Sequence, residues 1–231
     1  MKKIIFSVLI MFMLLAISSN TSCQDQSERT TSQDLIQLPS PNYDGNTSVE
    51  KALLHRRSVR NYSEGQLTLS ELSQILWSAQ GITDKTDGLR TSPSAGALYP
   101  LEIYIAAANV KSLGFGLYKY NPHDHSIALI SEGDIIDDIS NASLKQGAIT
   151  HSSAIIIITA IYERTSVKYG NRAERYVFME AGHAGQNIYL QCVSLGLGTV
   201  MIGAFQDEAL KKVLNLSLNE FPLALYPIGK L

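Results

Sequence analysis

Apolar positions along this chain recur in two rhythms, one helical and one extended. Thr47-Ser48-Val49-Glu50 is a capping-box pattern, and it predicts a helix running to about Arg57. A second box, Thr68-Leu69-Ser70-Glu71, opens a stretch where Leu69, Leu72, Ile75, Leu76 and Ala79 share one helical face, and Gly81 ends it. Ile135 to Lys145 predicts a modest helix, Arg172 to Gly196 the longest one, and Asp207 to Leu214 a short one. Leu101 to Val110 reads as a strand. Phe115–Asn121 and Ser126–Ser131 form a hairpin around Pro122-His123-Asp124-His125. Ala154 to Ile161 is a continuous run rich in β-branched residues, as expected of a central strand covered on both faces. Gly198–Gly203 and Phe221–Ile228 complete the strands. Helices mixed with a hairpin-containing set of strands predict an α+β domain with a mostly antiparallel sheet, not a doubly wound one. No G-x-G-x-x-G follows the early strands, so a Rossmann fingerprint is absent.

The start of the chain departs from both rhythms. Lys2 and Lys3 precede an apolar run from Ile4 to Ile17, broken only by Ser7, and small polar residues Ser18 to Ser22 follow. That is the pattern of a signal peptide over residues 1–22, and the run is short for a membrane span. It predicts an exported protein of the periplasm or cell envelope. Cys23 stands where a lipoprotein carries its acylated cysteine, although Asn20 occupies the position usually held by Leu. Lipid attachment at Cys23 and plain cleavage both remain open. Residues 23–46 are rich in Ser, Thr, Gln, Asp, Asn and Pro and read as a flexible tether to a domain spanning 47–231.

Composition narrows the partners. At 231 residues the chain has room for one ordinary domain, and 45% apolar with 17% charged residues is a globular balance. A net charge of -2 without a long basic run argues against nucleic acid, whose phosphates require clustered Lys and Arg. Cys192 has no second cysteine in the domain, and no metal-ligand spacing occurs. Its apolar helical setting makes it a small core residue.

Five segments carry candidate chemistry. Arg56-Arg57-Ser58-Val59-Arg60 places three guanidiniums and a hydroxyl within five residues, a donor set suited to phosphate, or equally a solvated basic helix end. Ser92-Pro93-Ser94-Ala95-Gly96-Ala97-Leu98-Tyr99-Pro100 begins with small residues that let a flat ligand approach backbone, or is a turn feeding the next strand. Val167-Lys168-Tyr169-Gly170-Asn171-Arg172 holds a Lys beside a Tyr, suited to proton transfer if buried, or is a loop ahead of the long helix. In Met179-Glu180-Ala181-Gly182-His183-Ala184-Gly185-Gln186-Asn187 the small residues admit another backbone, and His183 reads as structural. Leu195 to Phe205 contains glycines that bring backbone against a ring, or that stop a helix and bulge a strand.

In their order and spacing these segments resemble the nitroreductase superfamily of FMN enzymes, and more narrowly its azoline dehydrogenase branch, over about Ser48 to Gly229. The marks are R-R-S-V-R, S-P-S-A-G-A-L-Y-P, K-Y-G-N-R, E-A-G-H-A-G-Q-N and L-G-L-G followed by I-G-A-F. The resemblance implies a homodimer with FMN at the subunit interface. It implies that Arg56, Arg57, Ser58 and Arg60 contact the cofactor's phosphate, ribityl or pyrimidine edge. Ser92, Pro93, Ser94, Ala95 and Gly96 would line the flavin from the partner chain, and Met201, Ile202 and Gly203 would approach the ring. Lys168 and Tyr169 match the pair implicated in proton removal, and the Ala181–Asn187 helix would lie in the dimer interface, accounting for its small residues. The chain ends at Gly229-Lys230-Leu231, whereas many relatives carry a basic phosphate contact on a longer tail; either Lys230 replaces it or the contact is missing. The implied activity is hydride transfer from a small heterocyclic or peptide-like substrate to flavin. The alternatives are an NAD(P)H-dependent nitro or quinone reductase and a non-catalytic flavin-binding surface lipoprotein.

Overall fold

A computed structural model of the chain describes residues 35–231. The signal-peptide and Cys23 expectations lie outside the described residues. Seven strands form one sheet: β1 (Leu35–Gln37), β4 (Leu101–Ala107), β5 (Gly116–Asn121), β6 (Ser126–Glu132), β7 (Ala154–Ala160), β8 (Leu197–Thr199) and β9 (Phe221–Lys230). Their order is β1-β6-β5-β4-β7-β9-β8, and every neighbouring pair is antiparallel. A separate small hairpin joins β2 (Ile82–Asp84) to β3 (Leu89–Arg90).

The helices are α1 (Val49–His55), α2 (Leu69–Gln80), α3 (Ile136–Ala142), α4 (Gly147–Thr150), α5 (Glu163–Tyr169), α6 (Ala173–Leu195) and α7 (Asp207–Val213). They divide between the two faces of the sheet. On one face, Leu72, Ile75 and Leu76 of α2 and Val177, Ala184 and Ile188 of α6 pack on Ile103, Ile105, Ile156 and Ile158. On the other, Ile139, Ile149 and Leu210 pack on Tyr104, Ile155, Ile157 and Leu225. The period-two alternation of β7 therefore feeds both cores, and all seven of its residues are buried, as its continuous apolar run predicts. The mixed α+β architecture with an antiparallel sheet matches the expectation from the element pattern. Of the two expected capping boxes only the second forms: α1 is capped by Ser48, whose hydroxyl accepts from Lys51 N, and not by a Thr47–Glu50 pair. Thr68 Oγ1 accepts from Glu71 N, and Glu71 accepts from Thr68 N at 2.8 Å.

Several expectations differ. The strand expected over Gly198–Gly203 is confined to Leu197–Thr199, with one isolated bridge at Ile202. Residues 35–46 are not tether. Leu35–Gln37 pairs with β6, Leu38 is buried, and the backbone of Asn42 both donates to and accepts from the Gln74 side chain. A polar average hides one short edge strand and its single buried Leu. The segment Val167–Tyr169 is likewise not loop. It is the end of α5, a seven-residue helix whose one buried side chain is Thr165, too narrow a stripe to register as helical periodicity.

Candidate active site

The Arg56–Arg60 segment follows α1 and is pinned by what lies between its cations. Val59 N donates to Thr199 O at 2.9 Å. The Tyr62 hydroxyl donates to Val59 O and Pro227 O at 3.2 and 3.1 Å. Gly198 and Gly229 make room for this clamp, since a Cβ at Gly229 would sit 2.3 Å from Tyr62 Cγ and one at Gly198 would sit 3.0 Å from Val59 Cγ1. With Val59 and Tyr62 turned inward, Arg57, Ser58 and Arg60 are exposed and Arg56 is half-buried. None of the three arginines forms an ion pair among the described residues.

Tyr189 of α6, absent from the sequence-based candidates, is the hub of this group. Its hydroxyl accepts from Met201 N at 2.8 Å and shares a hydrogen bond with Ser58 Oγ at 3.1 Å. The Arg56 guanidinium lies 5.1 Å from the centre of its ring. Tyr189 thus joins the arginine segment to the backbone of Met201, which is exposed, as is Gly203 two residues on. Ile202 points elsewhere: it is buried in the core and bridges to Leu225 through two backbone hydrogen bonds. Gly196 has φ +68 as the cap of α6, so the first glycine of this stretch is a helix stop.

The second group forms around Gly96. Ser92 is buried and its hydroxyl donates to Ala79 O, which anchors the segment. Asn187 of α6 donates to Ser92 Oγ and to Ser78 O, both at 3.0 Å. Pro93 is exposed. Ser94 Oγ accepts from Tyr99 N, and Ala95 N donates to the buried carboxylate of Glu180 at 2.9 Å. Burial pushes the Glu180 pKa up, against the hydrogen bonds from Ala95 and Ser94 and the charge of His183. Three residues of the segment, Gly96, Ala97 and Tyr99, occupy the left-handed region, with φ +64, +53 and +44. Strain concentrated in this way is characteristic of sites that must hold backbone in one pose.

Lys168 and Tyr169 come to the same place. A Cβ on Gly96 would lie 3.0 Å from both Lys168 Nζ and the Tyr169 hydroxyl. The ring of Tyr169 is held edge-on by Tyr176, with centroids 4.9 Å apart. Lys168 is exposed in the single chain.

No hydrogen bond links the two groups. Glu180 and Tyr189 are nine residues apart on α6, which corresponds to about 13 Å along the axis and roughly a half-turn around it. The small residues between them also differ from expectation. Ala181, Ala184 and Gly185 are buried within the same chain, and a Cβ on Gly185 would meet the Tyr226 hydroxyl of β9 at 1.9 Å. The size of Gly185 is set by packing of α6 on β9, and Ala181 and Ala184 lie in the core cluster between α6, α2 and the sheet. Of the four, only Gly182 is open on the exposed side, next to exposed His183. Lys230 stands apart from both groups. Its side chain covers Gly65, and its amine pairs with Glu71 at 2.7 Å, completing the cap of α2.

A model described as Nitroreductase family matches residues 53–230. A protein of Methanocaldococcus jannaschii named as a nitroreductase is 48% identical over 182 residues, covering 79% of this chain and 90% of its own. The chain belongs to the nitroreductase family. The microcin B17-processing protein McbC of Escherichia coli is 24% identical over 160 residues, 66% of this chain and 58% of its own. A nitroreductase-family structure from Desulfovibrio desulfuricans, solved with FMN, superposes with a TM-score of 0.58 at 19% identity, over 78% of this chain and 84% of that one. Membership places the chain among oxidoreductases, a family that generally uses FMN.

The residues present in this nitroreductase-family chain fit such a cofactor. Three arginines without carboxylate partners and the Ser58 hydroxyl supply donors for a phosphate. The exposed backbone at Met201 and Gly203 and the side-chain-free position at Gly96 leave main chain for a planar ring to lie against. No helix among the described residues is long and apolar enough to cross a membrane.

Proposed function

We propose that this chain is an FMN-dependent dehydrogenase of the azoline type, acting on a small heterocyclic or peptide-like substrate. Bound FMN would supply the hydride acceptor, chemistry that the protein itself lacks. Arg56, Arg57, Ser58 and Arg60 hold the phosphate and ribityl end, and the Met201–Gly203 backbone meets the ring. Gly96 and the Ser94–Ala95 backbone line the other side. Lys168 and Tyr169 take and hold the substrate proton at Nζ and the phenolic oxygen. The observation that carries this reading is the convergence of Lys168 Nζ and Tyr169 Oη on the backbone of Gly96. The similarity to McbC supports the peptide-like substrate.

We read the two groups as parts of one site shared between two chains, a reading supported by their separation along α6. A homodimer brings the Gly96 group of one protomer to the arginine group of its partner. Phe178, Met179 and Val167, which are 51, 54 and 81% exposed, supply apolar surface for that contact. Closure by the partner also provides the burial that Lys168 lacks alone. The basic start and apolar run that precede Cys23 support an exported protein held at the cell envelope, with Cys23 as the lipid attachment point.

The test is the absorption spectrum of the purified protein, followed by anaerobic addition of NADPH. A yellow protein that NADPH leaves oxidised supports the dehydrogenase. Ready bleaching favours the second reading, an NAD(P)H-dependent nitro or quinone reductase, for which the 48% identity to a protein named as a nitroreductase speaks. A colourless protein that takes up no FMN defeats both and leaves a non-catalytic surface protein. Lys168→Ala and Tyr169→Phe should each lower turnover by about 10² or more, the scale of a lost proton-transfer group. Unchanged turnover rules out their assigned role.

A further inference from the structure

A cavity of about 570 Å³ is lined by residues of β3, β4, β5, β6 and α5. That volume is in the range of small-molecule sites. Its wall carries three permanent cations, Arg90, Lys119 and Arg164, against one carboxylate, Glu102. Both oxygens of Glu102 are already engaged. Lys119 Nζ pairs with Oε2 at 3.1 Å, and Arg164 Nη2 pairs with Oε1.

Arg90 is the cation left over. Its guanidinium is stacked 4.3 Å from the centre of the Tyr99 ring, and Nη1 donates to Gln80 Oε1 at 2.9 Å. It forms no ion pair among the described residues, and its Nε is buried without a hydrogen-bond partner. Desolvation pushes the Arg90 pKa down, partly offset by the field of Glu102. A guanidinium remains charged at any physiological pH, so its burial calls for a counter-charge. Leu101, Ile103 and Ile130 add apolar wall beside the cations.

We propose that this cavity binds a small molecule bearing an oxyanion, a carboxylate or a phosphate, held by Arg90 with Arg164 and Lys119. Arg164 has Nη1 and Nη2 committed to Tyr99 O and Glu102 and so contributes mainly charge, while Arg90, with only Nη1 engaged, supplies the donors for an oxyanion. Glu102 keeps Lys119 and Arg164 in place and limits the net attraction, which favours a single anionic group over a polyphosphate. The site stands independently of the cofactor assignment. It does, however, touch the strained segment, since Arg164 Nη1 donates to Tyr99 O and Tyr99 lies three residues beyond Gly96. An occupant therefore buttresses the backbone that faces Lys168.

Calorimetric titration of the full chain with inorganic phosphate, acetate and benzoate, at low ionic strength, tests the proposal. Saturable binding is expected, weakened at least about tenfold in Arg90→Gln and in Lys119→Gln, the latter a partly exposed position where the fold should tolerate the change. Phosphate binding without a preference for benzoate over acetate identifies a free inorganic ion as the ligand. Benzoate tighter than acetate by about fivefold or more identifies a carboxylate on a larger, partly apolar molecule. Arg57→Gln reports anions held by the Arg56–Arg60 segment. If that variant alone weakens binding, or if no probe saturates by tens of millimolar, the proposal is wrong. Should Arg90→Gln fail to fold, Arg90→Lys and Lys119→Gln carry the same test.

Discussion

Replacing Tyr189 with Phe removes one oxygen and leaves the ring, so it isolates the two hydrogen bonds that join the arginine segment to Met201. The wild-type hydroxyl accepts from Met201 N at 2.8 Å and bonds Ser58 Oγ at 3.1 Å. Each such bond contributes about 0.5–1.5 kcal/mol net. Met201 and Ser58 are both exposed, so water can satisfy their freed groups and the low end applies. The sum is about 1 kcal/mol. For a chain of this size that corresponds to a fall in melting temperature of about 2–4 °C. Arg56 keeps its stacking partner, because Phe offers the same ring face. FMN affinity, followed by fluorescence titration, should weaken by up to about tenfold, the equivalent of about 1.4 kcal/mol, because Ser58 and the Met201 backbone are no longer fixed relative to each other. Tyr189→Leu removes the ring as well and should weaken binding further. An unchanged melting temperature together with unchanged FMN affinity in Tyr189→Phe would refute the hub role and return the Arg56–Arg60 segment to a solvated helix end.

Gly96→Ala should cost about 1–2 kcal/mol for a left-handed non-glycine residue, measured by denaturant unfolding, and should lower turnover more than stability because the new methyl meets Lys168 Nζ and the Tyr169 hydroxyl. Glu71 titrates below its ordinary value of 4.5: burial opposes ionisation, but hydrogen bonds from Lys230 and Thr68 outweigh it. A depressed carboxylate pKa stabilises the fold above pH 4.5 and loses that contribution as pH falls through the lower, folded value, so Glu71→Gln should flatten the acid limb of a stability–pH curve. Glu180 is the opposite case, its pKa raised chiefly by burial, so its charge costs stability at neutral pH. Glu180→Gln, which retains an acceptor for Ala95 N, should match or exceed the wild type in thermal stability at pH 7, whereas Glu180→Ala should fall below it. Mixed dimers of Lys168→Ala and Arg57→Ala chains should recover about a quarter of wild-type turnover if the site is shared, since half the dimers then hold one intact site. No recovery argues for a site within one chain.

The sequence alone determined the parts of this protein that follow from local pattern. Period-two and period-3.6 spacing located the strands β4 to β7 and the helices α2 and α6, because burying one face forces that repetition on the residues themselves. The capping box at Thr68–Glu71 was legible for the same reason: both partners lie within one turn. The ordered motifs from Arg56 to Phe205 carried the family. What the tertiary structure decided were relations between residues far apart in the chain. Tyr189 is one apolar-looking position among many on α6 until Ser58 and Met201 arrive from 131 and 12 residues away. Lys168 and Tyr169 read as loop, because α5 buries too little to show a stripe. That Lys230 pairs its amine with Glu71, 159 residues earlier, is visible only in the tertiary structure. Arg90 is silent in the sequence, since an isolated arginine on a short strand becomes informative only when its burial, and the engagement of the cavity's one carboxylate by two other cations, are combined.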